Sequence, residues 1–155
     1  MNTKILLKSL NGHKVRFVII GATAGVAHGF VRLTEDIDIF VEPTRENMEK
    51  ALQALQACGY DVTDVTLEEA LQKKLLFRGY LLKTDIHPSA KGVDWETLWT
   101  NKVQYRFHEE DIYFSSLDDL IKMKRAAGRS KDLEDLLHLE EIRRQTSAQK
   151  PSKKP

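Results

Sequence analysis

Apolar positions along the chain change period several times, and each change marks an element. Residues 3 to 10 read as a short helix, and Val15 to Ile20 is a continuous apolar, β-branched run that stops at Gly21, as expected of a strand buried on both faces. Ala22 to Phe30 is rich in small residues, with Val26 and Ala27 its larger apolar members, and suits a short helix packed closely on that strand and ended by Gly29. Asp36 to Val41 then alternates, placing Ile37, Ile39 and Val41 on one face and Asp36, Asp38 and Phe40 on the other.

Behind Pro43, Thr44 is placed to cap a helix over about 45 to 58, with Met48, Ala51, Leu52 and Leu55 at helical spacing and Gly59 as its stop. Thr66 and Glu69 form a capping box for a short helix to Lys74. Leu75 to Arg78 and Tyr80 to Ile86 read as two strands hinged at Gly79, the second closed by Pro88. A short helix through Trp95 to Thr100, its two tryptophans pinning it to the core, precedes a hairpin of Val103 to Phe107 and Asp111 to Phe114. The last third is helical: Ser116 and Asp119 open one helix with Leu117, Leu120 and Ile121 on its inner face, and Gly128 ends it. A second helix runs from Lys131 to about Arg144 with Leu133, Leu136, Leu137 and Ile142 as its apolar set.

With 155 residues, 41% of them hydrophobic, the chain has the apolar content of one α/β domain and no room for a second. That domain is expected over residues 1–144, with a disordered basic tail over 145–155, where QTSAQKPSKKP offers almost nothing to bury. The 24 basic and 23 acidic residues nearly cancel, which argues against a protein that wraps duplex phosphates. A single cysteine, Cys58, excludes an intramolecular disulfide and a multi-cysteine zinc site. The N-terminal apolar run is too short for a signal peptide or a membrane span, so a cytoplasmic protein without a membrane partner is expected.

Candidate chemistry centres on the alternating strand. Asp36 and Asp38 project from one face, about 6.5–7 Å apart between Cα atoms. Two such anions repel by about 2 kcal/mol at an effective dielectric near 20. On a solvated face that repulsion is tolerated; on a half-buried one it calls for a cation, and Mg²⁺, which takes one or two carboxylates together with substrate phosphates, fits the pair. Asp85, in a second run of strand character, is the third acid selected, able to sit beside the Asp36–Asp38 strand in one sheet. Three carboxylates can hold two metal ions, Mg²⁺ or Mn²⁺.

The segment VIIGATAGVAHGFVRLTEDIDIFVEPTREN resembles the minimal nucleotidyltransferases of the DNA-polymerase-β-like superfamily, in particular their abortive-infection and toxin–antitoxin (AbiEii-like) branch. The matching elements are a strand, the glycine pair at Gly21-Ala22, the His28-Gly29, Arg32 and Thr34 positions, and Asp36-Ile37-Asp38-Ile39. The likeness extends to SSLDDLIKMKRAAGRSKDLEDLLHL and covers roughly residues 15 to 142. It implies a nucleotidyltransferase core with a mixed sheet, flanking helices and a C-terminal helical pair. It further implies transfer of an NMP moiety, with pyrophosphate release, from an NTP such as ATP to a hydroxyl of RNA (tRNA) or of a partner protein.

In that reading Asp36, Asp38 and Asp85 are catalytic and hold the metal. Gly21, Ala22, Thr23, Arg32, Thr34, Lys124 and Lys131 bind the nucleotide, with Arg129 beside them. Ala22 departs from the second glycine or serine usual in the family, although its backbone N–H and that of Thr23 still stand at a helix start, where phosphates bind. The rival reading is a toxin–antitoxin component that acts by holding its cognate partner. A second rival, RNA binding through the tail and the Lys122 to Arg125 cluster, is disfavoured by the near-zero net charge. Lys124, Arg129 and Lys131 read equally well as a solvated helix end, and His28 and His87 as structural histidines.

Overall fold

The computed structural model describes residues 2–29, 36–80 and 82–149. Along the chain run α1 (Thr3–Gly12), β1 (Phe17–Ile20), α2 (Gly21–Ala27), β2 (Asp36–Val41), α3 (Arg45–Ala57), α4 (Leu67–Gln72), β3 (Leu75–Phe77), β4 (Lys83–His87), α5 (Trp95–Asn101), β5 (Val103–Phe107), β6 (Glu110–Phe114), α6 (Leu117–Ala127) and α7 (Ser130–Gln149). Six strands form one mixed sheet in the order β3-β4-β2-β1-β6-β5. β2 runs antiparallel to β1 and parallel to β4, while β6 runs parallel to β1. The expected α/β architecture is the one observed.

Local chemistry explains most element ends. The hydroxyls of Thr44, Thr66 and Ser116 accept from the backbone N–H groups of Asn47, Glu69 and Asp119, so all three expected N-caps form. Gly128 closes α6 with φ +64°, a left-handed conformation that costs glycine nothing. β1 is fully buried, and Ile37, Ile39, Phe40 and Val41 of β2 are buried with it, so the centre of the sheet is covered on both faces, while β5 at its edge is largely exposed. Phe40, which shares its face with the two aspartates, meets Trp95 at 5.5 Å between ring centroids, and Trp95 stacks on Trp99. The buried Asn47 ties α3 to both central strands: its Oδ1 accepts from Arg16 N–H, and its Nδ2 donates to the carbonyls of Arg16 and Glu42.

Three expectations need correction. β4 begins at Lys83 rather than Tyr80, because Tyr80 turns back to pack on Tyr60 at 4.7 Å and receives the Asp61 N–H on its hydroxyl. In α7 the inward face is Asp132, Asp135, Leu136 and Leu139, whereas Leu133 is 51% and Leu137 69% exposed. The cause is Lys124 on α6, whose ammonium lies 3.3 Å from Asp132 and 3.2 Å from Asp135 and draws both carboxylates inward. α7 also continues through Gln149, so residues 145–149, expected in the tail, are helical. Among the described residues no helix is long and apolar enough to cross a membrane.

Candidate active site

β2 and β4 lie side by side in parallel register, with Asp38 opposite Asp85, Asp36 opposite Lys83 and Phe40 opposite His87. Because side chains alternate along a strand, Asp36 and Asp38 share a face, and Asp85 and His87 share the same one. The Asp38, Asp85 and His87 ligand atoms all lie within 4.8 Å of one another. The three acids selected from the sequence are thus neighbours in one sheet.

The end of β1 completes the corner. Ile20 pairs with Asp38, and the next residue, Gly21, opens α2 with φ +71°. A Cβ on Gly21 would lie 2.5 Å from Asp38 Oδ2 and 3.1 Å from its Cγ. Glycine is therefore required twice here, for the backbone conformation and for the close approach to the carboxylate. Ala22 and Thr23 follow in the first turn of α2, both half-buried.

Two further side chains set the electrostatics. His87 donates from Nε2 to Asp38 Oδ1 at 2.8 Å. Arg78, at the end of β3, grips Asp85 with both ends of its guanidinium, Nη1 to Oδ1 at 2.6 Å and Nη2 to Oδ2 at 3.1 Å, and reaches Asp36 Oδ1 at 3.8 Å. Burial pushes the Asp38 carboxyl up, but the hydrogen bond and charge of His87, with help from Lys74 and Asp85, outweigh it and hold Asp38 below its ordinary value. For Asp85 burial wins: with the charge of Asp38 it raises the carboxyl above its ordinary value despite Arg78. By their mutual distances Asp38, Asp85 and His87 are a group that could hold a metal ion.

The remaining candidates divide. Arg32 and Thr34 lie outside the described residues. Lys124 is largely buried in its ion pairs with Asp132 and Asp135, between the C-terminal helices. Arg129 is anchored by Asp132 through Nε at 2.5 Å, yet its guanidinium is mostly exposed and the charge of Asp38 acts on it. Lys131 is exposed at the start of α7. His28 donates from Nε2 to the Ser115 carbonyl at 2.7 Å, tying the end of α2 to the β6–α6 junction, which is the structural role expected of it.

Sequence reasoning missed Arg78 and gave His87 no part in the site. Part of the signal for His87 was available: Asp85-Ile86-His87 repeats the two-residue spacing of Asp36-Ile37-Asp38, so His87 must share the face of Asp85, and it joins the site once the register sets Asp85 against Asp38. Arg78 carried no such signal, since it lies one residue beyond β3 and reaches the acids only through the antiparallel pairing of β3 with β4.

Among solved structures, the chain is similar to the lincomycin-bound crystal structure of the lincosamide antibiotic adenylyltransferase LnuA. The TM-score is 0.60 at 17% identity, over 92% of this chain and 98% of that one. At that identity the likeness is one of fold. No curated protein matches the chain in sequence. Residues 3–150 match the family described as "Nucleotidyltransferase of unknown function (DUF6036)", and with nearly its whole length covered the chain belongs to that family.

Proposed function

We propose that this protein is a metal-dependent nucleotidyltransferase that moves an NMP moiety from an NTP, with ATP the first candidate, to a hydroxyl of RNA or of a partner protein, releasing pyrophosphate. The observation that supports it best is the register that sets Asp38 against Asp85, with Asp36 on the same face and Gly21 pressed onto Asp38. Asp36, Asp38 and Asp85 would hold a divalent metal, Mg²⁺ or Mn²⁺, as two ions when substrate is bound. The metal supplies Lewis acidity and neutralises charge on the departing pyrophosphate.

The other steps fall to the chain itself. The backbone N–H groups of Gly21 to Thr23 and the Thr23 hydroxyl face the phosphates at the start of α2. Asp85 accepts the proton of the attacking hydroxyl at a carboxylate oxygen. Arg129, exposed and within the field of Asp38, offers a cation to the polyphosphate, and Lys131, Arg32 and Thr34 add nucleotide contacts in this reading. Lys124 contributes by fixing α7, which carries Arg129 and Lys131.

The test is transfer of label from each of four α-labelled NTPs, with Mg²⁺, onto total tRNA, a lysate protein fraction and a panel of small hydroxyl compounds that includes lincomycin. The small-molecule arm is prompted by the acceptor bound to LnuA. Label that is absent with Asp36→Ala/Asp38→Ala establishes the reaction and names its acceptor class. No label in any arm would refute transfer to these acceptors and favour the toxin–antitoxin reading, in which Ala22 marks a fold retained to hold a cognate partner.

A further inference from the structure

We propose that His87 is a direct ligand of the metal, so that Asp38, Asp85 and His87 form a mixed oxygen and nitrogen donor set that takes Mn²⁺ in preference to Mg²⁺. The inference rests on the metal-dependent reading above and assigns that site a ligand and an ion class of its own. Among the described residues the compact set is these three, with ligand atoms within 4.8 Å of one another. Asp36 is not part of it, and Arg78, which holds Asp85 at 2.6 Å and reaches Asp36 at 3.8 Å, is the cation that an incoming ion must displace.

The spacing suits an octahedral ion. Metal–ligand distances of about 2.0–2.2 Å place neighbouring donors about 3 Å apart, the edge of the octahedron. The His87 Nε2 to Asp38 Oδ1 separation is 2.8 Å. Both side chains are fixed before any ion arrives: His87 and Asp85 share one face of β4, the Asp85 side chain is only 7% exposed, and Gly21 crowds Asp38 from the other side. An ion inserted between His87 and Asp38 replaces the Nε2 proton, which leaves to solvent or returns on Nδ1, the neutral imidazole being the ligating form.

Donor chemistry then sets the preference. Carboxylate and water oxygens suit Mg²⁺ and Mn²⁺ alike, whereas an imidazole nitrogen favours transition ions over magnesium. A site of aspartates alone would discriminate little between the two; one that includes His87 discriminates.

The experiment uses the full chain with Mn²⁺ and pyrophosphate, a phosphate ligand that contains no nitrogen. Pulsed electron paramagnetic resonance should show a ¹⁴N coupling that changes to the ¹⁵N pattern when the protein is labelled with ¹⁵N-histidine, and that is lost in His87→Gln. Titration should show Mn²⁺ affinity falling at least tenfold in His87→Gln, no less than the loss of an outer ligand partner causes, while Mg²⁺ affinity, read by competition, changes less than threefold. Bound Mn²⁺ without histidine nitrogen coupling in the wild-type chain would overturn the assignment of His87 and leave the metal-dependent reading standing. Failure of the wild-type chain to bind Mn²⁺ at all, with or without pyrophosphate, would overturn both.

Discussion

Replacing Gly21 by alanine should separate the two demands the site places on that residue. The backbone at φ +71° is left-handed, and an alanine there costs about 1–2 kcal/mol. The new methyl would sit 2.5 Å from Asp38 Oδ2, where ordinary contact begins at 3.4 Å, so about 0.9 Å must be recovered by movement. Rotation of the carboxylate cannot recover it, since the Asp38 Cγ and Cβ are themselves 3.1 and 3.2 Å away and His87 holds the other oxygen. A shift near 1 Å in a catalytic group costs on the order of 10²-fold in rate.

Gly29→Ala supplies the control. Gly29 also has positive φ, +94°, but a Cβ there meets no described atom within 4 Å, so it carries backbone strain without the clash. Urea unfolding and NMP transfer should be measured on both variants. Both should lose stability through backbone strain, Gly21→Ala the more because of the added clash, and Gly21→Ala alone should lose about a hundredfold in transfer. Equal losses of activity in the two variants, or a Gly21→Ala enzyme within threefold of wild type, would refute the argument that this glycine exists to admit Asp38.

Three further outcomes are expected. Lys124→Met should destabilise the fold in urea by about 3 kcal/mol, the low end for a broken buried ion pair, because it removes the buried ammonium that Asp132 and Asp135 share while Arg129 still holds Asp132; a loss below 1 kcal/mol would release Lys124 for a nucleotide role. Burial pushes Asp132 up, but the Arg129 and Lys124 partners hold it below its ordinary value. Its contribution is therefore complete above the unfolded pKa near 3.9 and lost as pH falls through the lower folded value; the decline of the urea midpoint in acid should be shallower in Asp132→Asn. Arg78→Ala should tighten Mn²⁺ binding about tenfold at low salt and less at high salt, since a competing cation leaves Asp85 and Asp36. Unchanged affinity at low salt would show that Arg78 and the metal use different oxygens.

The strands and caps were legible because their signals are local. The alternation in Asp36 to Val41 fixes which side chains share a face, and the Thr44, Thr66 and Ser116 caps need only the next three residues. The neighbour relation of Asp38 and Asp85 was an inference about topology, for which the sequence offered strand character but no register, and the parallel pairing of β2 with β4 supplies it. Arg78 was illegible for a similar reason. A long, flexible cation at a strand end can reach many places, and only the fold selects one.

The α7 helix was misread because hydrophobicity was taken as the sole guide to burial. Leu133 and Leu137 were counted in the apolar set of the helix, yet both are exposed, while Asp132 and Asp135, which hydrophobicity alone would never place inside, are buried. Carboxylates are buried when a cation is fixed to receive them, and Lys124 stands on the facing helix to do so. That arrangement separates the cations of the C-terminal pair by task. The charge of Lys124 is consumed inside the helix junction, while the second oxygen of Asp132 orients Arg129 and leaves its guanidinium exposed within the field of Asp38. Asp132 therefore couples the stability of the helical pair to the position of Arg129, the cation of that pair on which the charge of Asp38 acts, and a change there should be felt in nucleotide affinity as well as in folding.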